Sequence, residues 1–203
     1  MILYTSPGTI GLATQIALEE SGLDYEQVTI DFAASEQLSE HYRRINPRLR
    51  VPALDVDGEV LTETQAILVY IAQISPGSTL ALPVDPLAFA RIQSFNSYLG
   101  STVHVAHAHG RRGTRWTDDS DALAALAAFV PVSMAHCFDL IESTLLKGPW
   151  VHGSSFSISD PYLFAISQWL EGDGVDVSRY PQVVAHRSSM LERESVRRIL
   201  GKD

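Results

Sequence analysis

Two short stretches decide the fold of this chain: Arg50-Val51-Pro52-Ala53-Leu54 and Leu61-Thr62-Glu63-Thr64-Gln65-Ala66-Ile67. They predict two strands joined by a turn at Asp57-Gly58, followed by a helix that opens on an acidic and a hydroxyl residue. A proline has no N–H and can follow a cis bond, so the Val51 backbone groups are able to face away from the sheet. The helix opening at Thr64 presents free N–H groups to a carboxylate, and Glu63 can bind an ammonium beside it. The stretch therefore predicts a site for a ligand with an α-amino acid head and a peptide body.

The composition narrows the class of protein. The chain has 203 residues, which is enough for one large domain or two small ones, and a net charge of −9. That charge disfavours nucleic-acid binding, which needs clustered cations, and allows an anionic ligand only at a local positive site. The single cysteine, Cys137, excludes an internal disulfide and a multi-cysteine metal site and suits a reducing, cytoplasmic compartment.

Targeting and membrane signals are not expected from the sequence. The start, Met1-Ile2-Leu3-Tyr4, has neither the charged segment nor the long apolar core of a signal peptide. No apolar run is expected to reach the roughly 20 residues that span a bilayer. We therefore expect a cytoplasmic protein with no membrane partner.

The pattern of elements divides the chain in two. The predicted order is βαβαββα over residues 1–76, then a proline- and glycine-containing linker over 77–86, then an all-helical part over 87–203. The first part is predicted from strands at Ile2–Tyr4, Tyr25–Ile30, Val51–Val56 and Val60–Leu61, and from helices at Leu12–Ser21 (ended by Gly22), Ser35–Ile45 (capped by Ser35) and Glu63–Ile74. The second part is predicted as helices over Leu87–His109, 118–146, Ser157–Leu170 and, as one or two helices, Pro181–Ile199.

Five motifs in this order resemble the cytosolic glutathione transferase family over almost the whole chain. They are Leu3-Tyr4-Thr5-Ser6-Pro7-Gly8, Ile45-Asn46-Pro47, Val51-Pro52-Ala53-Leu54, Leu61-Thr62-Glu63-Thr64 and Phe156-Ser157-Ile158-Ser159-Asp160-Pro161. The resemblance implies an α/β thioredoxin-like N-terminal domain and an all-α C-terminal domain. It also implies a cis bond at Val51-Pro52, glutathione as co-substrate with no other cofactor, glutathione contacts at Val51, Glu63 and Thr64, and a two-fold dimer. The bacterial beta class is the most similar in overall pattern.

Glutathione chemistry needs a thiolate, which hydrogen-bond donors and a helix N-terminus can stabilise. The beta class carries a cysteine where this chain has Ile10 and a serine where it has Gly11, so chemistry through an enzyme thiol is not expected. Thr9 occupies the position of the catalytic serine in delta- and theta-like relatives, and we predict that its hydroxyl stabilises the thiolate. Tyr4 is the second candidate, although we favour a buried strand aromatic for it; Ser6 and Thr5 are weaker. Thr9 could also be a helix cap with no chemistry.

Other residues are predicted to complete the two subsites. Arg50, like Arg48, flanks Pro52 and can pair with a glutathione carboxylate or face solvent. The resemblance places His104 at the cleft, where it contacts glutathione or a second substrate, or else packs between the domains. The remaining candidates wall the second-substrate pocket and suit a flat or anionic electrophile, although cations near a helix end are also favourable by themselves. They are His107, Arg111, Arg115 and Trp116.

Several features are expected to be structural. The histidines of the His104–His109 stretch lack a carboxylate at metal-ligand spacing, so no metal is expected. Ser157 and Asp160 form a capping box in which the Ser157 hydroxyl accepts from the Asp160 N–H and the carboxylate reaches back. Gln65 can simply face solvent. Buried core positions are predicted for Trp150, Trp169, Phe164, Tyr162 and Cys137.

The sequence therefore predicts a glutathione transferase that conjugates the glutathione thiol to an apolar or aromatic electrophile. Three alternatives remain open. The same scaffold could support a glutathione-dependent isomerase, ether-cleaving or disulfide-exchange enzyme, although Ile10 disfavours exchange. It could also be a non-catalytic glutathione-binding module, or a carrier of small apolar molecules.

Overall fold

A computed structural model describes residues 1–201 and confirms the predicted βαβαββα order of the first part. The elements are β1 (Ile2–Thr5), α1 (Gly11–Ser21), β2 (Glu26–Thr29), α2 (Glu40–Ile45), β3 (Ala53–Val56), β4 (Glu59–Thr62) and α3 (Thr64–Ile74). The four strands form one mixed sheet in the order β2-β1-β3-β4, with β1 parallel to β2 and antiparallel to β3, and β3 antiparallel to β4. Asp57 and Gly58 both have positive φ, as the predicted two-residue hairpin requires.

The second part is helical, as expected. Residues 75–85 contain no helix or strand, and the next helix begins at Pro86, the last residue of the predicted linker. The predicted domain boundaries stay a prediction, and the predicted end at residue 203 lies outside the described residues. The helices are α4 (Pro86–Tyr98), α5 (His104–Arg111), α6 (Ser120–Leu140), α7 (Ser159–Ser167), α8 (Pro181–Leu191) and α9 (Glu194–Leu200).

The predicted long helix over Leu87–His109 is one helical rod with a change of pitch. Helices α4 and α5 are joined by a π-helical segment, Leu99–Val103, that ends where His104 begins. A second π segment, Ile141–Leu145, extends α6. Such segments often occur at functional sites because the wider turn rotates the side chains that follow. Here the first one sets the direction of His104.

The prediction of a single helix over Ser35–Ile45 was wrong. A 3₁₀ turn at Glu36–Leu38 is followed by α2. Ser35 precedes that turn with a φ of 57°, and its side chain makes no capping hydrogen bond. Ser39 is the cap, because it is extended and its Oγ accepts from the Tyr42 N–H at 3.0 Å. Two serines four residues apart each favour a helix start, and the sequence pattern selected the wrong one.

One core cluster continues from the sheet into the helices, and a second forms where α1 meets α7, α8 and α9. Phe164 and Tyr162 are buried as predicted, and burial raises the pKa of the buried Cys137 thiol. The predictions for Trp150 and Trp169 hold in part, since both pack against the core clusters but are only partly buried. An indole is large and carries an N–H, so it often lies at the edge of a core.

Asp160 is fully buried and holds the loop before α7 together. Its carboxylate accepts from the N–H groups of Val151 at 2.8 Å and Ser157 at 2.7 Å, and lies 3.1 Å from the His186 Nε2. The predicted return bond from the carboxylate is confirmed. The predicted role of the Ser157 hydroxyl was wrong, because it accepts from the Ser159 N–H and itself donates to Asp160.

Helix α6 departs from the expectation that no apolar run approaches membrane-spanning length. With its π extension, Ser120–Leu145 has 26 residues and contains an 18-residue window of mean hydropathy 1.7, so it is long and apolar enough to span a membrane by length and composition alone. A core helix can have the same length and composition. The buried face of α6 is built from Val130, Met134 and Phe138, which belong to the main core cluster, so we interpret α6 as a core helix.

We predict that Asp160→Asn lowers the free energy of unfolding by about 3 kcal/mol, because an amide nitrogen would replace an acceptor facing buried donors. Ser157→Ala, which removes one hydroxyl of the same motif, should cost about 1 kcal/mol. Urea unfolding of the two variants checks this order. Equal losses would show that the carboxylate is not the centre of the loop.

Candidate active site

A cleft of about 1250 Å³ opens between the first part of the chain and the helical part. One wall comes from the loop after β1, the segment before β3 and the start of α3; the other comes from the π segment, α5 and the turn after it. Nearly all the residues predicted from the sequence line this cleft: Thr9, Arg50, Val51, Pro52, Glu63, Thr64, His104, His107, Arg111, Arg115 and Trp116.

The segment before β3 is held by its own backbone carbonyl. The Val51-Pro52 bond is cis, as the resemblance implied. The Arg50 carbonyl accepts from the Tyr42 hydroxyl and the Asn46 amide, both at 2.7 Å. Tyr42 and Asn46 are buried, so these two bonds join the segment to α2 and leave Val51 at the cleft.

Glu63 and Thr64 form the start of α3 at the cleft. Glu63 has a φ of 70°, a conformation that non-glycine residues rarely adopt, and its side chain does not cap the helix. Its carboxylate is largely exposed and lies 3.5 Å from the Arg48 guanidinium, which also bonds to Thr62. The N-terminus of α3 therefore retains free N–H groups beside an accessible carboxylate.

The loop after β1 places Thr9 at the cleft, but its hydroxyl is already engaged. Thr9 Oγ1 donates to the Ser6 carbonyl at 2.6 Å and accepts from the Gly11 N–H at 3.2 Å. Gly11 is required by space, because a Cβ there would lie 1.9 Å from the Thr5 Oγ1. In this arrangement Thr9 acts as a helix-leading cap, one of the two interpretations that the sequence left open.

Tyr4 does not line the cleft. Its ring packs edge-on against Tyr42 at 6.1 Å between centroids, and burial raises the pKa of its hydroxyl. This location favours a strand aromatic over a thiol-activating hydroxyl, although Tyr4 is only partly buried and not buried as predicted.

Two histidines on α5 meet Trp169 at the helical wall. Trp169 lies parallel to the His107 ring at 4.2 Å and tilted against the His104 ring at 4.9 Å. Its indole N–H donates to the Gly8 carbonyl at 3.1 Å, which joins this wall to the loop that carries Thr9. Burial, together with the charges of His107 and nearby arginines, lowers the pKa of His104 to about 3, so His104 is neutral at physiological pH.

His107 is also paired with an acid. Its Nδ1 lies 2.9 and 2.8 Å from the two carboxylate oxygens of Asp173, and both side chains are mostly buried. Asp173 is fixed in turn, because its N–H donates to the Trp169 carbonyl at 2.9 Å. The turn after α7 thus carries both residues that contact the His107 ring, Trp169 and Asp173.

The cleft concentrates positive charge in a chain of net charge −9. Burial and the nearby charges of Arg50 and Arg111 lower the pKa of Arg112, and burial with Arg50 and Arg112 lowers that of Arg115 to about 10. Within residues 1–201 none of these four arginines has an acidic partner within salt-bridge distance. The cluster is therefore able to bind an anion.

Sequence reasoning missed three residues of this site and misjudged a fourth. Trp169 was predicted as core, and Asp173 and Arg112 were not singled out. Gln65 does not simply face solvent, because its Nε2 donates to the Asn96 carbonyl at 2.8 Å across to α4. Of these residues, only Arg112 carried a signal in the sequence, because it is adjacent to Arg111. The contacts of Trp169, Asp173 and Gln65 join residues that are far apart in the chain. Among the described residues, no group of three or more His, Cys, Asp or Glu could hold a metal.

Comparison with known proteins agrees with this geometry. Residues 1–73 match the model of the glutathione S-transferase N-terminal domain. A glutathione transferase homologue from Sulfitobacter, solved with bound glutathione, is 46% identical with a TM-score of 0.96, and the match covers 99% of this chain and 97% of the homologue. The chain belongs to the glutathione S-transferase family.

More distant members show how varied the family is. The glutathione S-transferase GstA of Escherichia coli O157:H7 is 27% identical over 100% of this chain and 98% of its own length. A maleylpyruvate isomerase from Ralstonia is 26% identical over 91% of this chain and 88% of its own length. The family confirms a glutathione S-transferase enzyme on a thioredoxin-like fold, and leaves the second substrate open.

We predict that His104 makes the protein less stable in acid. The unfolded chain protonates this histidine below about pH 6.5, whereas the folded chain does so only near pH 3, so the free energy of unfolding falls as the pH decreases through this window. The slope should be at most about 1.4 kcal/mol per pH unit from this group. His104→Gln should flatten the decline measured by urea unfolding between these pH values. The exposed His136→Gln serves as the control; an equally steep decline in both variants would contradict the assignment.

Proposed function

We propose that this glutathione S-transferase conjugates the glutathione thiol to a flat, apolar or aromatic electrophile. The observation that carries the proposal is a single cleft with two different walls. One wall offers the Val51 backbone and the start of α3 to a peptide-like ligand, and the other offers Trp116, His107 and arginines to a second molecule. Glutathione bound to a Sulfitobacter homologue of the same fold supports the first half.

The first wall matches the two ends of the γ-glutamyl group. We assign its ammonium to the Glu63 carboxylate and its carboxylate to the N–H groups at Thr64, where the helix dipole is positive. Val51 would pair with the cysteinyl backbone, next to Pro52, and Arg50 would meet the remaining carboxylate. His104, which is neutral, would donate or accept a hydrogen bond without adding charge.

The thiol would lie between the Thr9 loop and the helical wall. We propose that Thr9 turns its hydroxyl from the Ser6 carbonyl toward the sulfur and stabilises the thiolate, together with the N-terminus of α1. Ile10 supplies no thiol, so the sulfur of glutathione itself is the nucleophile.

Glu63→Gln tests glutathione binding directly. It keeps the size of the side chain and removes the charge that faces the ammonium, so we predict a dissociation constant for glutathione raised by about tenfold or more. Glu59→Gln is the matched control, because Glu59 is an exposed glutamate on the adjacent β4 and does not line the cleft. Titration calorimetry measures both. Unchanged affinity in Glu63→Gln would contradict the docking mode, and a wild-type protein without affinity would contradict the function.

A second candidate function is glutathione-dependent isomerisation of a carboxylated substrate. The specific observation is the arginine cluster Arg50, Arg111, Arg112 and Arg115, which has no acidic partners among the described residues and suits carboxylates better than a purely apolar molecule. The likeness to a maleylpyruvate isomerase adds support.

Arg115→Gln tests whether the arginine cluster recognises a carboxylate. We predict that it raises KM about tenfold for a carboxylate-bearing electrophile, since a charge-assisted hydrogen bond is lost, and leaves KM for a neutral aryl halide unchanged. Arg91→Gln, an exposed arginine of α4 outside the cleft, is the control. Steady-state kinetics with matched neutral and anionic substrates measure the difference. Equal effects on both substrates would remove anion recognition from the cluster.

We also propose that the protein acts as a two-fold homodimer in the cytoplasm and takes part in detoxification. The family resemblance supports this assembly. Exposed apolar side chains near the start of α4, Val84 and Leu87, are available for such a contact.

A further inference from the structure

We propose that His107, positioned by Asp173, is the catalytic residue that accepts the proton of the glutathione thiol. This inference rests on the proposed function, since it assigns the base for the same thiol. His107 lies on α5 and Asp173 lies in the turn after α7. A contact that served only to pack these two elements together would not need a histidine and an aspartate, so we assign the pair a chemical role.

The geometry of the pair is that of an oriented base. Asp173 accepts at the His107 Nδ1, which places the proton of the neutral imidazole on that nitrogen and leaves Nε2 as an acceptor. His107 lines the cleft, so Nε2 is the ring nitrogen open to a ligand there. Among residues 1–201 no side-chain or backbone donor occupies it.

The position of the pair links it to the thiol loop. Trp169 stacks on His107 at 4.2 Å and its indole N–H donates to the Gly8 carbonyl, so one side chain contacts both the imidazole and the loop of Gly8 and Thr9. That stacking also fixes the plane of the ring. A base oriented by an acid and held in plane by an aromatic ring needs little reorganisation before proton transfer.

The remaining polar groups of the loop do not replace this function. Thr9 can donate to a thiolate but has no capacity to take up a proton at neutral pH. His104 is held neutral by burial, and its low pKa makes it a poor proton acceptor. His107 is therefore the acceptor that the cleft offers.

Charged groups of both signs lie around His107. Arg50, Arg111, Arg112 and Arg115 line the same cleft, where their positive charge favours a thiolate. The Asp173 carboxylate contacts the His107 ring from the turn after α7, and His104 on the same helix is neutral. A thiolate in this cleft would therefore face cations, and the ring that accepts its proton would face a carboxylate.

The proposed step is balanced without a further reactant. The thiol S–H bond breaks and its proton moves to the His107 Nε2, leaving the electron pair on sulfur. The thiolate then forms a C–S bond as the bond from that carbon to its leaving group breaks. The leaving group takes the electron pair and, directly or through solvent, the proton from His107, so the imidazole returns to its neutral form.

The first test needs only glutathione. The ultraviolet absorbance of a thiolate, recorded on saturation of the protein with glutathione at neutral pH, should appear in the wild type. The ratio of thiolate to thiol should fall at least about tenfold in His107→Gln and in Asp173→Asn. His136→Gln, an exposed histidine of α6 away from the cleft, should match the wild type. Bound glutathione that is un-ionised in the wild type, or equally ionised in His107→Gln, would overturn the proposal.

The second test separates a catalytic role from a structural one. With an aryl halide, kcat of His107→Ala should fall about 100-fold while KM for glutathione stays near the wild-type value, and added imidazole should restore part of kcat. Should His107→Ala fail to fold, Asp173→Asn is measured alone, and an unchanged kcat there overturns the positioning role. A wild type that ionises glutathione yet turns over no electrophile would refute conjugation and leave this inference standing.

Discussion

The packing of α1 against α7 is the contact on which the cleft depends. Ile16 of α1 and Phe164 of α7 share one fully buried cluster, and Ala13 and Ala17 are also buried on α1, where small side chains allow the helices to approach closely. The ion pair of Glu20 with Arg193 closes the far end of α1 against the C-terminal helices. Because α1 follows the thiol loop and α7 precedes Trp169, this one interface sets the separation of the two walls.

The distribution of charge follows from the same arrangement. A chain with a net charge of −9 repels anions at long range, so an anionic ligand depends on a local field. The segment before β3 brings Arg50 from one wall of the cleft toward Arg112 and Arg115 on the other. None of these three arginines has an acidic partner among the described residues. Like charges held together without neutralisation destabilise the ligand-free protein. That cost is offset when a ligand with several carboxylates enters the cleft.

The sequence predicted what is local and missed what depends on distant contacts. The hairpin at Asp57-Gly58, the helix end at Gly22 and the start of α3 each follow from a few adjacent residues, and all were confirmed. The cleft residues near Pro52 were also found, because a motif carries them. Trp169 and Asp173 were not, since their roles come from contacts with Gly8 and His107 that lie 161 and 66 residues away. No periodicity or motif encodes such a pairing.

The identity of residue 10 explains why the helical wall can carry chemistry in this chain. Ile10 is 4% exposed and belongs to the main core cluster, so the position next to the thiol loop contributes to packing. Thr9 beside it is bonded within its own turn. In the proposed binding mode, the glutathione thiol meets an apolar residue and an engaged hydroxyl on one side, and an oriented imidazole on the other. In that arrangement His107 on the helical wall accepts the proton, and the loop that carries Thr9 stabilises the thiolate once it has formed.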